Sequence, residues 1–402
     1  MDQHRGELRV AILCAAVLVL EGYDLGAMAF TVPALSDAWH MKPASFTAAL
    51  AAGNVGLFLG SLFCGWLGDR IGRKPVLMGC VVLFGIMSLA TILADTVNML
   101  VLFRFFTGLG IGGGIPTSIA LLSDFSPAKR QGGMVMAMTC GVPAGNVLGG
   151  VVAARLLAPY GWQGVFVVGG LLPLLLLPVL ALFLPESVAL RTRAINVGKN
   201  AVAQLFTPGL ARITLLLWLI NFLSLLTIYF INSWLPSLLH DLGIATATAI
   251  LAAVMFQVGS IVGGLGTGVL VNRFGTERVV ACMLVMGGCW LLLLGLTQVS
   301  VTLLAAFIFG AGLGVSAAQL GINALPGAIY PPPIRNTGTG WALGVGRLGN
   351  IGGPLLGGYF LAQHWAPRHM FLAIAAPAFL LAVMLLVLRR ARQISDVGAV
   401  KA

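Results

Sequence analysis

Long apolar runs separated by short polar segments dominate the chain, and this pattern predicts membrane-spanning helices. A helix of about 20 mostly apolar residues is long enough to cross a bilayer. We predict twelve such spans, at about residues 10–35, 44–67, 75–94, 99–122, 132–157, 163–184, 213–239, 247–271, 279–297, 300–329, 337–362 and 369–388. Because an even number of crossings returns the chain to its starting side, both termini are expected on one face of the membrane.

The composition and the charge distribution agree with an integral membrane protein. Of the 402 residues, 59% are hydrophobic and only 9% are charged, whereas soluble domains carry about 25% charged residues. The formal net charge of +11 does not indicate nucleic-acid binding, because the basic residues are scattered between apolar runs. Most of them fall on the side of the termini, and only Lys42, Arg155 and Arg368 fall on the other side. This bias predicts cytoplasmic termini. We expect a multi-pass protein of a cell membrane, the inner membrane of a bacterium.

One longer polar stretch divides the predicted spans into two groups of six. We predict an N-terminal half over residues 1–184, a cytoplasmic central loop over residues 185–211 and a C-terminal half over residues 212–402. The segment 65–72, between the second and third spans, recurs in degenerate form as the segment 268–275 between the eighth and ninth spans. Two pseudo-symmetric six-helix halves form an all-α transporter architecture, with the substrate near the membrane midplane.

Two carboxylates lie in the middle of the first span and indicate a functional site. Glu21 and Asp24 are three residues apart, so they share one helix face. Each costs roughly 2.5–3.5 kcal/mol at a bilayer centre on insertion scales. Arg104 in the fourth span needs an anionic partner, and we favour Glu21 as this partner and Asp24 as the proton carrier. The alternative is that the acids lie nearer the membrane surface or only neutralise arginines.

The turn between the second and third spans carries a motif with a readable purpose. It runs Gly65-Trp66-Leu67-Gly68-Asp69-Arg70-Ile71-Gly72-Arg73-Lys74 and resembles the cytoplasmic signature of the major facilitator superfamily. Its glycines permit a tight turn and close helix approach, and its acid can meet arginines or helix N-termini. The resemblance implies a gating role for Asp69, Arg70, Gly72 and Arg73. In the second copy Asn272 replaces the acid, so gating by that turn should be weaker.

Further motifs narrow the resemblance. The segment Arg104–Gly112 resembles the fourth-helix motif of the same superfamily. The run Glu21-Gly22-Tyr23-Asp24 resembles the acidic-Gly-aromatic-Asp signature of the aromatic acid:proton symporters. The segments Tyr330–Gly349 and Leu215–Pro236 are also similar to this family, the second to a subgroup that carries hydroxyphenylpropionate-type acids. Many family members have Asp where this chain has Glu21, so which of the two acids carries the proton stays open.

This resemblance implies the major facilitator fold and uptake of an aromatic carboxylate together with protons. Arg347 in the eleventh span is our candidate for binding the carboxylate, because a guanidinium can bind it with two parallel hydrogen bonds. Arg104 is the alternative. Aromatic and amide side chains in the spans are candidates for contacting the ring and its hydroxyls, or for linking helices: Tyr23, Tyr229, Phe230, Trp234, Trp341, Asn221, Asn232, Gln257, Gln319 and Asn323.

The rival interpretation is an exporter of drugs or metabolites with the same fold, a proton antiporter. The segment Gly141–Gly150 loosely matches the fifth-helix motif of antiporters, although small residues there can equally serve helix packing. The sequence offers no nucleophile constellation and no metal-ligand spacing, so an enzyme is not expected. We expect no cofactor or metal, and as partners an aromatic carboxylate, protons and the lipid bilayer. We expect the protein to act as a monomer.

Overall fold

The computed structural model describes residues 2–126, 128–186, 201–207, 210–297, 300–331 and 334–400. Within these ranges the regular secondary structure is helical. Most of the predicted central loop, residues 187–200 and 208–209, lies outside the described residues.

Fourteen α-helices make up the described chain. Their bounds are α1 Asp2–Trp39, α2 Thr47–Ile71, α3 Arg73–Ala90, α4 Val97–Phe125, α5 Ala128–Thr139, α6 Gly141–Phe183, α7 Ala201–Gln204, α8 Leu210–Asp241, α9 Thr246–Phe274, α10 Thr276–Leu296, α11 Val301–Ala311, α12 Ala317–Ile329, α13 Arg335–Ala362 and α14 Pro367–Val400. Short 3₁₀ turns precede α2 and follow α3, and a π-helical turn, Gly312–Ser316, joins α11 to α12.

Ten of the described helical segments are long and apolar enough to cross a membrane. The segment Gly133–Phe183 covers two predicted spans, and its helix α6 is interrupted at Gly161, where φ is 65° and ψ is −172°. The predicted span 337–362 falls in α13, which is not among the ten because it is rich in glycine and polar residues. The structure therefore supports a multi-span helical protein, and the count of twelve stays a prediction.

The helices group into two compact units. The first comprises Met1–Ala194 and Pro236–Val254, and the second comprises Ile195–Leu235 and Met255–Ala402. In the first unit, α2 packs on α4, α1 on α6, and α3 on both α4 and α6. In the second unit, α10 packs on α14 and along α11 and α12. Each unit has its own apolar core.

Glycines set the distance between the paired helices of the first unit. A methyl group at Gly145 of α6 would lie 1.8 Å from the carbonyl oxygen of Val19 in α1. A methyl group at Gly108 of α4 would lie 2.0 Å from the carbonyl oxygen of Gly53 in α2. Small residues that let helix backbones approach closely are the usual packing device in membranes. The position of the first helix, which carries both acids, therefore depends on α6 having glycine at this contact.

We expect Gly145→Ala to destabilise the protein by about 1–3 kcal/mol, because the added methyl group must push α1 and α6 apart. Thermal unfolding of the purified protein in detergent measures the effect. Gly79→Ala is the matched control, since nothing lies within 4 Å of a methyl group there. Equal stability of the two variants would contradict the close contact between α1 and α6.

Candidate functional site

A buried ion pair occupies the interior of the first unit. A terminal guanidinium nitrogen of Arg104 in α4 lies 3.0 Å from Oδ2 of Asp24 in α1, and the two side chains are 4% and 1% exposed. The Ser88 hydroxyl in α3 donates to Oδ1 of Asp24 at 2.6 Å. Because both carboxylate oxygens have a donor, Asp24 is held as one element of a network that joins three helices.

The other side of the guanidinium is also engaged. Its second terminal nitrogen donates to the hydroxyls of Thr91 and Thr107, each at 3.0 Å. The Phe166 ring lies beneath it, with the centroid 4.8 Å from the guanidinium carbon. Charge, hydroxyls and an aromatic face together offset the cost of burying a cation. The Arg104 guanidinium is therefore enclosed by these groups and does not face an open binding site in this structure.

The expectation that Glu21 pairs with Arg104 is wrong, because Asp24 occupies that position. Glu21 is fully buried, and neither of its carboxylate oxygens has a hydrogen-bond partner among the described residues. Its carboxyl group instead packs against Gly114 of α4, where a methyl group would lie 1.5 Å from Oε1. The two acids share one face of α1 but reach different levels of α4.

Tyr23, which lies between the acids, is also enclosed. Its side chain is 1% exposed, and its hydroxyl donates to the carbonyl oxygen of Val165 in α6 at 2.9 Å. This bond links α1 to α6. The contacts of Tyr23 favour a packing role over the ring-binding role suggested by the sequence.

The predicted gating motif forms the turn between α2 and α3. Gly72 ends α2 with φ 111° and ψ 150°, a left-handed conformation that favours glycine. The Arg70 guanidinium lies over the Trp66 ring at 4.1 Å. Asp69 lies in α2, but its side chain is outside the described part of the structure.

Two contacts connect this turn to other helices of the first unit. The Arg73 guanidinium forms an ion pair with Asp124 at the end of α4. The Lys74 backbone N–H and Oε1 of Glu186 are 3.4 Å apart, which places an acid at the start of α3. Negative charge is favourable near a helix N-terminus. These contacts hold the turn against the end of α4 and the segment that follows α6.

In the second unit, Arg347 of α13 is partly buried and has no carboxylate within ion-pair distance among the described residues. The phenol of Tyr229 in α8 is a neighbour of this guanidinium. The two helices run close together here, since a methyl group at Gly346 would lie 2.9 Å from Cβ of Asn221. Arg347 differs from Arg104 in having an uncompensated charge.

Two further predicted site residues, Asn232 and Trp341, contact other side chains of the second unit. Asn232, one turn after Tyr229 on α8, accepts a hydrogen bond from the side-chain amide of Gln257 in α9 at 2.9 Å. Trp341, at the start of α13, stacks on Trp218 with ring centroids 5.6 Å apart. Asn232 therefore lies one turn from Tyr229 on α8, whereas Trp341 packs against Trp218.

Sequence reasoning missed the residues that complete the first unit's site. Ser88, Thr91 and Thr107 bind the ion pair, and Gly114 makes room for Glu21. Polar residues within apolar spans were the available signal. The spacing of Thr107 three residues after Arg104 could have suggested that contact, whereas the contacts with α3 depend on the tertiary fold.

The comparisons with known proteins identify the family. Residues 14–216 and 217–402 each match the sequence profile of the Major Facilitator Superfamily. The chain belongs to this superfamily of membrane transporters. It is 39% identical to a 3-(3-hydroxy-phenyl)propionate transporter of Escherichia coli (strain K12), over 94% of each chain. It is 34% identical to a 4-hydroxybenzoate transporter of Pseudomonas putida, over 95% of this chain and 92% of that one.

Solved structures agree on the fold. The crystal structure of a D-xylose-proton symporter matches with a TM-score of 0.75 at 20% identity, covering 94% of this chain and 97% of that one. The crystal structure of a nucleoside transporter matches with a TM-score of 0.75 at 15% identity, covering 95% and 98%. At these identities the likeness supports the shared helical fold alone.

We expect Asp24→Asn to destabilise the protein by about 3–5 kcal/mol, because it leaves the buried Arg104 cation without its counter-charge. Asp24→Asn combined with Arg104→Gln should be markedly more stable than the sum of the two single changes predicts. Thermal unfolding of the four proteins in detergent forms the double-mutant cycle. Additive losses would mean that the two side chains do not form a coupled pair.

Proposed function

We propose that this protein takes up an aromatic carboxylic acid with protons by alternating access. Its relatives named for 4-hydroxybenzoate and 3-(3-hydroxy-phenyl)propionate transport align over more than nine-tenths of the chain, and another at 34% identity is a gallate transporter of Pseudomonas putida. The ring and the carboxylate are common to these acids, so a site of this class needs an anion-binding group and a surface for the ring.

The contrast between the two arginines carries the proposal. Arg104 is committed to Asp24 and two hydroxyls, whereas Arg347 is partly buried with no carboxylate partner among the described residues. A cation in such a setting is best stabilised by an arriving anion. Arg347 binds the substrate carboxylate through its planar fork, and the Tyr229 phenol beside it contributes to the same end of the site.

The same geometry favours Glu21 over Asp24 as the proton carrier. Asp24 is paired with the Arg104 cation and accepts a hydrogen bond from Ser88, while Glu21 is enclosed with no partner in the described part of the chain. Burying an unpaired ionised carboxylate is costly, so the surroundings of Glu21 favour its proton-bound form. Glu21 is the proton carrier in this proposal, and Asp24 positions Arg104. Substrate and proton binding are coupled because each ligand favours the same state of the carrier.

The proposal includes the architecture drawn from the sequence. Twelve spans form an N-terminal half over residues 1–184 and a C-terminal half over residues 212–402, joined by a cytoplasmic segment over residues 185–211. The break at Gly161 and the 28-residue length of α13 support the two further spans. The protein spans a bacterial inner membrane, with both termini in the cytoplasm. A monomer suffices, because each proposed role is carried by residues of this chain.

The gating role of the α2–α3 turn is part of the same proposal. The ion pair between Arg73 and Asp124 is one contact of this gate, and Asp69 supplies the acid that can engage helix ends on the cytoplasmic face. These groups act on the equilibrium between conformations and not on the substrate. Export by antiport remains the rival mode, and the direction of proton-driven flux distinguishes the two.

We expect Arg347→Lys to reduce uptake of radiolabelled 4-hydroxybenzoate into proteoliposomes by about 10²-fold, because an ammonium keeps the charge but loses the two-pronged hydrogen bonding. The matched variant is Arg104→Lys, judged against its expression level and thermal stability. Normal uptake by Arg347→Lys, with uptake lost in a stable Arg104→Lys protein, would reverse the two roles.

We expect Glu21→Gln to abolish accumulation driven by an inward proton gradient while leaving substrate counterflow largely intact. A permanently neutral side chain permits exchange of loaded carriers, whereas net uptake requires the proton to be released inside. The two assays use the same proteoliposomes, with and without a pH gradient. Accumulation by Glu21→Gln against a gradient would remove Glu21 from the coupling mechanism, and proton-driven efflux by the wild-type protein would favour antiport.

A further inference from the structure

A pair of side-chain amides in the second unit is only half used. The Gln257 amide nitrogen donates to Oδ1 of Asn232 at 2.9 Å. This leaves Nδ2 of Asn232 and Oε1 of Gln257 without hydrogen-bond partners among the described residues. Neither atom is among the buried polar side-chain atoms that lack a partner, so neither is fully enclosed by the protein. Reversing both amides would exchange their roles and still leave one donor and one acceptor. The pair therefore presents one of each to a ligand.

The amide of Gln319, in the same unit, behaves differently. Its oxygen accepts from the Ser224 hydroxyl, and its nitrogen donates to Oδ1 of Asn323 at 2.7 Å. Both ends of this side chain are occupied by its own neighbours. Gln319 links α8 to α12. Its contacts are those expected of a buried amide that serves only helix packing.

The amide pair lies beside the proposed carboxylate site. Tyr229, a neighbour of Arg347, and Asn232 are three residues apart on α8. Three residues of helix rise by roughly 4.5 Å and return to nearly the same face. The amide pair is therefore displaced along α8 from Tyr229 by about one helical turn, on nearly the same face of the helix.

We propose that Gln257, oriented by Asn232, binds a hydroxyl group on the ring of the substrate and sets a preference for hydroxylated over unsubstituted aromatic acids. This inference rests on the proposed function and names a selectivity residue within it. A phenolic hydroxyl donates one hydrogen bond and accepts another, which matches the one acceptor and one donor of the pair. An unsubstituted ring would cover both amide atoms without satisfying them, and that desolvation is costly.

The test compares uptake of 4-hydroxybenzoate and benzoate in proteoliposomes containing the wild-type protein, Gln257→Met or Gln319→Met. In the wild-type protein we expect a lower KM for the hydroxylated acid. In Gln257→Met the ratio of the two KM values should move toward one by about tenfold. Gln319→Met is the control and should keep the wild-type ratio. Asn232→Leu disrupts the same pair from α8 and should reproduce the change, which covers a Gln257→Met protein that does not fold.

The outcomes separate this inference from the function on which it rests. An unchanged ratio in Gln257→Met, or an equal change in Gln319→Met, overturns the selectivity role and leaves aromatic-acid uptake standing. A wild-type protein that transports both acids with equal KM does the same. A wild-type protein that transports neither acid, nor 3-(3-hydroxyphenyl)propionate, overturns both the function and the inference.

Discussion

The pairing of Asp24 with Arg104 is the interaction around which the first unit is arranged. An apolar helix bundle tolerates a guanidinium only when a counter-charge and enough acceptors surround it. Here α1 supplies the carboxylate, while Ser88 and Thr91 bring the α3 side of the bundle to the same point. The close glycine contacts of α1 with α6 and of α2 with α4 hold the helices near enough for these short side chains to meet.

The two units offer different chemistry to a ligand. The first contains the buried Asp24–Arg104 ion pair and the enclosed carboxyl group of Glu21. The second contains Arg347, which has no acid of its own in the described chain, and an amide pair with free hydrogen-bonding capacity. This difference is the basis of the proposed division of roles, in which the first unit handles the proton and the second recognises an anion that carries a ring.

The sequence predicted the class of fold, because apolar run length is visible without coordinates, and the isolated charges in the apolar spans pointed to candidate site residues. It could not assign partners within the first span. Glu21 and Asp24 share one helix face, so periodicity alone does not decide which one meets Arg104. The decision depends on α4, where Gly114 opens space for the longer acid, and on Ser88, which is distant in sequence. The sequence also could not show that Arg347 lacks a carboxylate partner among the described residues, since this depends on which helices pack beside α13.

The closed Asp24–Arg104 pair has an electrical consequence. Because the pair is neutral in itself, it adds no net charge to the transport cycle proposed above, in which Glu21 carries the proton and Arg347 binds the substrate. With one proton per substrate carboxylate, the empty carrier in that proposal has an ionised Glu21 and a cationic Arg347, and the loaded carrier has a protonated Glu21 and a neutralised Arg347. Both forms sum to zero at these positions. Moving one elementary charge through 100 mV is worth about 2.3 kcal/mol, so a cycle of this stoichiometry is electroneutral and ties accumulation to the pH difference alone.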